Sequence, residues 1–464
     1  MRMRYRDYVS TLVVTALSAA FGVILLTGTS VLTTIIGQDD IASKATVQIA
    51  LSLVALVFFA ISVFVGAIVT ANTVGIVIAG RTREIALLRL IGATARRLRV
   101  VVGVEGLVVG FAGALVGGAT ALGLSALSVG WATAARAIPV LSYELVSPEL
   151  VIPPVAVTLI TWLASWVGSR RVLDVSPSEA TRAAAVEPAG EEVRARPLRT
   201  GVAVALIVIG GVLLAAAVVV GLFSVFGVLI GVAGGILSFS GIVLAAPLFM
   251  PAVLRVAGRA LGRGPAATIA AANAVRNPAR SARTTIGLVI GVTLVTMFAV
   301  AAQSYYIIIE RGREAYPADY GDSDRILALT IGVFAVLFGF SAIIAAVGMV
   351  NNLSLSVMQR RRELGLLRAL GFTTGQVRRM ILAESVQMTT AAVGFGVVLG
   401  ILYGWVGAQS LLGSIPGGGF APPAIPWLVV AGALAVAALL SVGASIVPSR
   451  RATRISPVQA LAVE

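Results

Sequence analysis

The sequence predicts an all-α polytopic membrane protein of about ten transmembrane helices, arranged as two parallel four-helix repeats plus a central hairpin. Three observations support this fold class. Of the 464 residues, 58% are hydrophobic and only 12% are charged, whereas soluble domains carry about 25% charged residues. Several apolar stretches exceed the roughly 18 residues that a membrane-spanning helix needs. A charged segment also recurs between these stretches.

The apolar stretches give the predicted elements in chain order. The predicted spans lie near 11–35, 49–79, 100–130, 150–168, 200–221, 225–250, 284–306, 327–350, 380–412 and 427–447. The second and eighth spans are long enough to continue beyond the bilayer as rigid helices. The predicted domains are a first repeat at 1–171, a cytoplasmic linker at 172–199, an extra transmembrane hairpin at 200–256 and a second repeat at 257–464.

The charged segment is the strongest sign of duplication. The pattern Arg-Glu-x-x-Leu-Leu-Arg-x-x-Gly occupies residues 83–92 and returns at 362–371. The correspondence continues without a gap in three further pairs: Thr94 with Thr373, Arg99 with Arg378, and Glu105 with Glu384. Because the order of spans and charged segments is the same in both halves, we expect parallel repeats related by an axis along the membrane normal.

The basic residues predict the orientation in the membrane. With the N-terminus inside and ten crossings, every basic residue except five falls on the inner side; the five are Lys44, Arg136, Arg311, Arg313 and Arg325. Cytoplasmic loops are enriched in Arg and Lys. Both termini and both charged segments are therefore expected in the cytoplasm. The net charge of +15 lies beside the membrane, where it meets lipid headgroups, so no nucleic-acid partner is expected.

Composition limits the chemistry that this chain can perform. Cysteine and histidine are absent, which excludes disulfides, the usual zinc sites and Cys/His nucleophile pairs. Lys44 is the only lysine and falls on the outer side, so the chain has no Gly-x-x-x-x-Gly-Lys-Ser/Thr phosphate loop. Any ATP hydrolysis must occur in another chain. The glycines Gly110, Gly113, Gly117 and Gly118 indicate close helix packing rather than phosphate binding.

The first charged segment is predicted to form an amphipathic helix. Ile85, Leu88 and Ile91 form an apolar stripe, the arginines cover the remainder, and Gly92 is a natural stop or bend. An interfacial helix lying on anionic lipid has this pattern, and so does a docking helix for a cytosolic partner. Two copies favour docking, because lipid contact requires only amphipathicity. The candidate docking residues are Arg83, Glu84, Leu87, Leu88, Arg89, Gly92, Arg362, Glu363, Leu366, Leu367, Arg368 and Gly371.

Two acidic residues follow the charged segments near the inner ends of the third and ninth spans. Glu105 and Glu384 are candidates for coupling at the membrane interface, because ionisable residues within membrane segments are functional by default. A proton or substrate role is one alternative. In another, each carboxylate reaches the headgroup layer and pairs with Arg99 or Arg378.

On these motifs the chain resembles the FtsX-like permeases of ABC transporters, a group that includes MacB-type exporters, lipoprotein-releasing permeases and bacitracin-resistance-type permeases. Further matching residues are Asn273, Arg276, Asn277, Pro278 and Arg280, and the Ser-Arg-Arg and Ser-Pro motifs that close each half. The resemblance implies a permease without enzyme activity in the bacterial inner membrane. Its partner would be a cytoplasmic ABC ATPase dimer, which binds ATP and Mg; this chain would bind no cofactor.

The chain departs from many such permeases in its outer loops. Where they carry a large extracytoplasmic domain, this chain has only residues 36–48 and 307–326. We therefore expect export or extraction of an amphiphilic substrate that enters from the membrane, where lipids contact the chain. The alternatives are mechanotransmission to an extracytoplasmic partner, such as a wall hydrolase or accessory protein, and antimicrobial-peptide sensing or resistance.

Overall fold

The structure is a computed structural model of the chain. It describes residues 5–36, 82–136, 138–170, 197–260, 278–317, 370–415 and 417–432, together with scattered residues in 53–78 and a few elsewhere. Within this part the chain is almost entirely helical, and no residue of it belongs to a β-strand.

Eight α-helices organise the described residues. They are α1 (Tyr5–Ile36), α2 (Thr82–Leu90), α3 (Ala95–Ala134), α4 (Ile152–Gly168), α5 (Pro197–Gly221), α6 (Gly227–Ala260), α7 (Pro278–Ala315) and α8 (Thr374–Leu412). Prolines lie in the first positions of α4, α5 and α7, where the missing backbone N–H costs no helical hydrogen bond. A 3₁₀ turn, Pro148–Val151, precedes α4.

All the helices except α2 are long and apolar enough to cross a membrane, which gives seven candidate spans in the described part. They confirm an all-α polytopic membrane protein and correspond to the first, third to seventh and ninth predicted spans. The spans predicted near 49–79, 327–350 and 427–447 lie largely outside the described residues. The domain boundaries stay predictions.

Small residues hold the first repeat together. Gly113 of α3 faces the side chain of Thr15, and Gly117 faces the backbone of Ala16, both on α1. On the other side of α3, Gly106 and Gly110 face Ser165 and Thr161 of α4, so that α3 packs between α1 and α4. Glycines let helix backbones approach closely where apolar burial offers little driving force, as in a membrane.

Glycines also allow close helix packing in the second repeat. Gly396, Gly400 and Gly404 of α8 meet α7 at successive turns, and this pair of helices is closely packed along its length. The hairpin formed by α5 and α6 packs chiefly against α7 and α8. The largest buried cluster lies there and includes Met250, Leu254, Val289 and Met388, joined by Phe21 of α1.

The connection that follows α8 is tied back to that helix. Gln409, which is almost completely buried, donates from Nε2 to the Gly419 carbonyl at 2.6 Å and accepts at Oε1 from the Ala421 N–H at 3.0 Å. Trp405 Nε1 donates to the Ala421 carbonyl at 2.7 Å. Gly417 has a φ of +78° and packs on Gly312 of α7. We call residues 413–415 and 417–421 the pinned loop.

Replacing Gln409 by leucine is expected to release the pinned loop without unfolding the helices. The change removes two hydrogen bonds to loop backbone groups, which are worth about 1 kcal/mol each. Hydrogen exchange at the Ala421 amide should accelerate by about tenfold or more. Gln376→Leu, at the opposite end of α8, is the matched control and should leave this amide unchanged. Equal protection of Ala421 in wild type and Gln409→Leu would show that Gln409 does not hold the loop.

Candidate functional site

The helix of the first charged segment is held against the membrane helices by its buried face. Ile85 and Ala86 of α2 are buried in a cluster with Leu98 and Val102 of α3. Val74 and Ile78, from the preceding segment, complete this cluster. A nine-residue helix has little stability of its own, so this burial fixes the position of α2.

A glycine-dependent turn closes α2 and redirects the chain into α3. The Ala93 N–H donates to the Leu88 carbonyl at 2.9 Å, and the Gly92 N–H donates to the Arg89 carbonyl at 3.1 Å. With Gly92 at a φ of +100°, these bonds form a Schellman motif. The Leu88 and Ala93 side chains pack on the same cluster, which supplies the apolar contact that accompanies the motif.

The next helix begins as soon as the turn ends. Thr94 is the N-cap of α3, and its hydroxyl accepts from the Arg97 N–H at 3.3 Å. Such a cap satisfies one of the free N–H groups of the first helical turn. The geometry of α3 relative to α2 is therefore set locally, within residues 91–94.

The described part of the second repeat has a corresponding glycine and helix cap. Gly371 has a φ of +96°, and Thr373 caps α8 by accepting from the Gln376 N–H, with Gln376 completing a capping box. These two glycines confirm the predicted bend. The remaining predicted docking residues of this copy, Arg362, Glu363, Leu366, Leu367 and Arg368, lie outside the described residues.

The exposed face of α2 differs from the predicted stripe. Ile85 is buried and Leu88 half-buried, but Ile91 is 81% exposed. The Ile91 N–H still donates to the Leu87 carbonyl at 3.2 Å, so Ile91 continues the helical period and lies on the same side of α2 as Leu87. The sequence prediction placed Ile91 on one stripe with Ile85 and Leu88, and for Ile91 it was wrong.

The exposed side chains form an apolar surface instead. Leu87, Leu90 and Ile91 are all exposed, and their spacing of three and four residues brings them together on one side of α2. We call these three residues the docking patch. In the second repeat, Leu370 is the counterpart of Ile91 and is 70% exposed. Arg89 is half-exposed, while the side chains of Arg83 and Glu84 are outside the described residues.

Leu90 and Ile91 were not among the predicted docking residues. The signal that identifies them is their spacing of three and four residues from Leu87, which places them on the same side of an α-helix. In the sequence, Leu370 follows Leu366 by the same four residues.

The two acidic candidates occupy equivalent places. Glu105 and Glu384 are both buried, and each follows the N-cap threonine of its helix by the same number of residues. The guanidinium of Arg99 lies over the Trp166 ring, 4.7 Å from its centroid. It also donates to Ser169 Oγ and to the Trp166 carbonyl. Arg99, which one alternative paired with Glu105, therefore makes these contacts with the end of α4.

These features define a duplicated membrane protein in which each half carries a short helix or turn, closed by glycine and followed by a capped membrane helix. The family described as FtsX-like permease C-terminal matches the chain twice, at residues 56–177 and 335–457. The two matches together cover just over half of the chain. Their first residues are separated by the same number of residues as the two charged segments. The chain belongs to the FtsX-like permease family, as its motifs predicted.

The chain is similar to curated ABC transporter permeases over about a third of its length. It is 33% identical over 151 residues to the uncharacterized ABC transporter permease YknZ of Bacillus subtilis, a match of 32% of this chain and 35% of that protein. It is 33% identical over 138 residues to the macrolide export ATP-binding/permease protein MacB of Shewanella oneidensis and to the pyoverdine export ATP-binding/permease protein PvdT of Pseudomonas entomophila. These two matches cover 30% of this chain and about a fifth of each relative.

Proposed function

We propose that this chain is the permease subunit of an ABC transporter and that a separate cytoplasmic ABC ATPase, acting as a dimer, docks on its two charged segments. The observation that carries the proposal is the docking patch, an exposed apolar surface on a helix whose other face is buried. Buried apolar side chains dominate the energy of protein interfaces. ATP and Mg belong to the ATPase, since this chain has no phosphate loop. The docking side faces the cytoplasm, in accord with the positive-inside distribution of arginines.

Two long helices are suited to carry motion away from the docking turns. The spans predicted for this role, 49–79 and 327–350, lie largely outside the described residues. On the other side of each turn, α3 and α8 run for 40 and 39 residues, or about 60 Å at 1.5 Å per residue. Glu105 and Glu384 lie on these helices near the docking side, as expected of coupling residues at the membrane interface.

The proposed substrate is an amphiphile taken from the membrane, for export or extraction. The connections after α3, α5 and α8 in the described part are short and form no independent domain, which needs roughly 50 residues or more. A water-soluble substrate would have little surface to bind outside the membrane.

The pinned loop supports mechanotransmission as a second candidate function. It joins the end of α8 to α7, and α8 begins at the second docking turn. A displacement at that turn would reach the pinned loop through one continuous helix. An extracytoplasmic partner bound there would receive the motion.

The proposal is tested by the double variant Ile91→Glu with Leu370→Glu. Both residues are exposed, so the change should leave the fold intact, but it places two carboxylates in the proposed apolar interface. Loss of a central apolar contact costs about 2 kcal/mol or more. We expect at least a tenfold lower yield of the co-expressed ABC ATPase after purification on the tagged permease, and loss of permease-dependent ATP hydrolysis.

The matched control is Leu198→Glu, at a residue of α5 that is 79% exposed and, in the proposed topology, lies at the cytoplasmic side outside the docking patch. It should retain the ATPase in full. Full retention by the double variant would refute docking at these residues. Equal loss in both variants would show only a general sensitivity to surface charge and would also refute it.

A further inference from the structure

A cavity of about 150 Å³ lies where the α5–α6 hairpin meets the second repeat. Its walls come from α6 through Gly235 and Phe239, from α7 through Thr293 and Met297, and from α8 through Tyr403 and Gly407. A single residue of α5, Leu214, also lines it. Phe64, from the segment before α2, closes another side. Phe239 contacts both Phe64 and Tyr403 edge-on, with ring centroids 6.2 Å apart in each pair.

The cavity is open because two glycines in its wall have no side chain to fill it. A Cβ atom added at Gly235 or Gly407 would meet no atom within 4 Å, although both glycines line the cavity. Both positions are half-exposed. Other glycines of the same helices, such as Gly234 and Gly404, face neighbouring backbone at less than 3 Å. Gly235 and Gly407 therefore do not serve close packing, and they keep this space empty.

The walls are almost entirely apolar. The hydroxyls of Ser238 and Tyr403 lie 2.9 Å apart and bond to each other, and Ser410 donates to the Gly407 carbonyl. Thr293 is a buried lining residue whose hydroxyl has no partner in the described part of the chain. A single free hydroxyl among many hydrocarbon groups selects an occupant that is mainly apolar.

The place of the cavity within the helices indicates where its occupant comes from. Its lining runs from Val228 to Phe239, near the start of α6, and from Tyr403 to Leu412, near the end of α8. Both stretches lie at the ends away from the docking turns, since α8 starts beside Gly371. In the proposed topology this is the outer half of the bilayer, where acyl chains are the surrounding medium.

We infer that this cavity binds the hydrocarbon tail of an amphiphile from the outer leaflet. An apolar cavity of this size accommodates a group of about six carbon atoms, which corresponds to the end segment of an acyl chain. The role of the cavity as a substrate site rests on the proposed function. Because α8 joins it to the second docking turn, movement at the ATPase would change the space available to the tail.

Binding is tested on the purified permease alone, without the ATPase. The protein is reconstituted in phosphatidylglycerol vesicles that contain a small fraction of the same lipid with a diazirine near the end of one acyl chain. After illumination, the labelled residues are mapped by mass spectrometry. We expect labelling at Phe239, Met297 and Tyr403. Gly235→Leu and Gly407→Leu fill the cavity and should each reduce that labelling at least fivefold.

Gly394→Leu is the matched control, because Gly394 is an α8 glycine with equally open space around it but does not line the cavity. It should leave the labelling of the cavity residues unchanged. Labelling only of the outer surface of the helices, or equal loss in all three variants, would overturn the inference. These results are independent of ATPase retention, so failure of the cavity and failure of the docking proposal are distinguishable.

Discussion

Replacing Gly117 by leucine is expected to destabilise the first repeat by about 3 kcal/mol, the upper end of the usual cost of overpacking. A Cβ atom at this position would lie 2.7 Å from the backbone carbon of Ala16 and 2.8 Å from its Cα. Backbone atoms cannot move aside as a side chain does, so α1 and α3 must separate. The expected result is a lower midpoint of thermal unfolding for the detergent-solubilised protein.

Gly123→Leu provides the control on the same helix. A Cβ atom at Gly123 meets nothing within 4 Å, so leucine there gains the same helix propensity without a clash. Its unfolding midpoint should equal or exceed that of the wild type. Equal midpoints for the Gly117 and Gly123 variants would show that the close approach of α1 and α3 does not stabilise the protein.

Replacing Gly92 and Gly371 together by valine is expected to lower permease-dependent ATP hydrolysis by at least tenfold. Both glycines have φ angles near +100°, and a β-branched residue held in that region costs about 1–3 kcal/mol. The chain can relieve this strain by opening the turn, which changes the angle between the docking helix and the capped helix that follows. Co-purified ATPase would then be poorly coupled or lost.

A series of substitutions at Gly92 and Gly371 distinguishes the effect of backbone strain on activity from the effect of side-chain size. Asparagine tolerates left-handed backbone conformations better than other residues with a side chain, so Gly92→Asn with Gly371→Asn should retain more activity than the valine pair. Alanine should lie between them. If activity follows side-chain volume rather than this order, the backbone conformation of the two turns does not control coupling.

The turns were predictable because their signals are local. Gly92 and Thr94, with Gly371 and Thr373, specify a helix end and a helix start within four residues, and two copies of the pattern reinforce each other. The apolar spans were predictable from length and composition alone. These signals do not depend on which helices become neighbours.

The exposed patch and the cavity were not predictable in the same way. The stripe through Ile85, Leu88 and Ile91 advances in steps of three residues, which drift around a helix of 3.6 residues per turn, and tertiary packing decides which side of α2 is buried. Gly235 and Gly117 look alike in sequence. One borders open space and the other touches the backbone of Ala16, because long-range packing decides which neighbour each glycine meets.

The one-sided packing of the α5–α6 hairpin has a consequence for the transport cycle. Two identical ATPase subunits would meet two similar turns, but the helices that follow these turns have different neighbours. The helix α8 packs against the hairpin, whereas α3 packs between α1 and α4. The two nucleotide-hydrolysing sites would then not be interchangeable. Inactivating the ATPase subunit that engages Leu370 would arrest the cycle at a different stage from inactivating the subunit that engages Ile91.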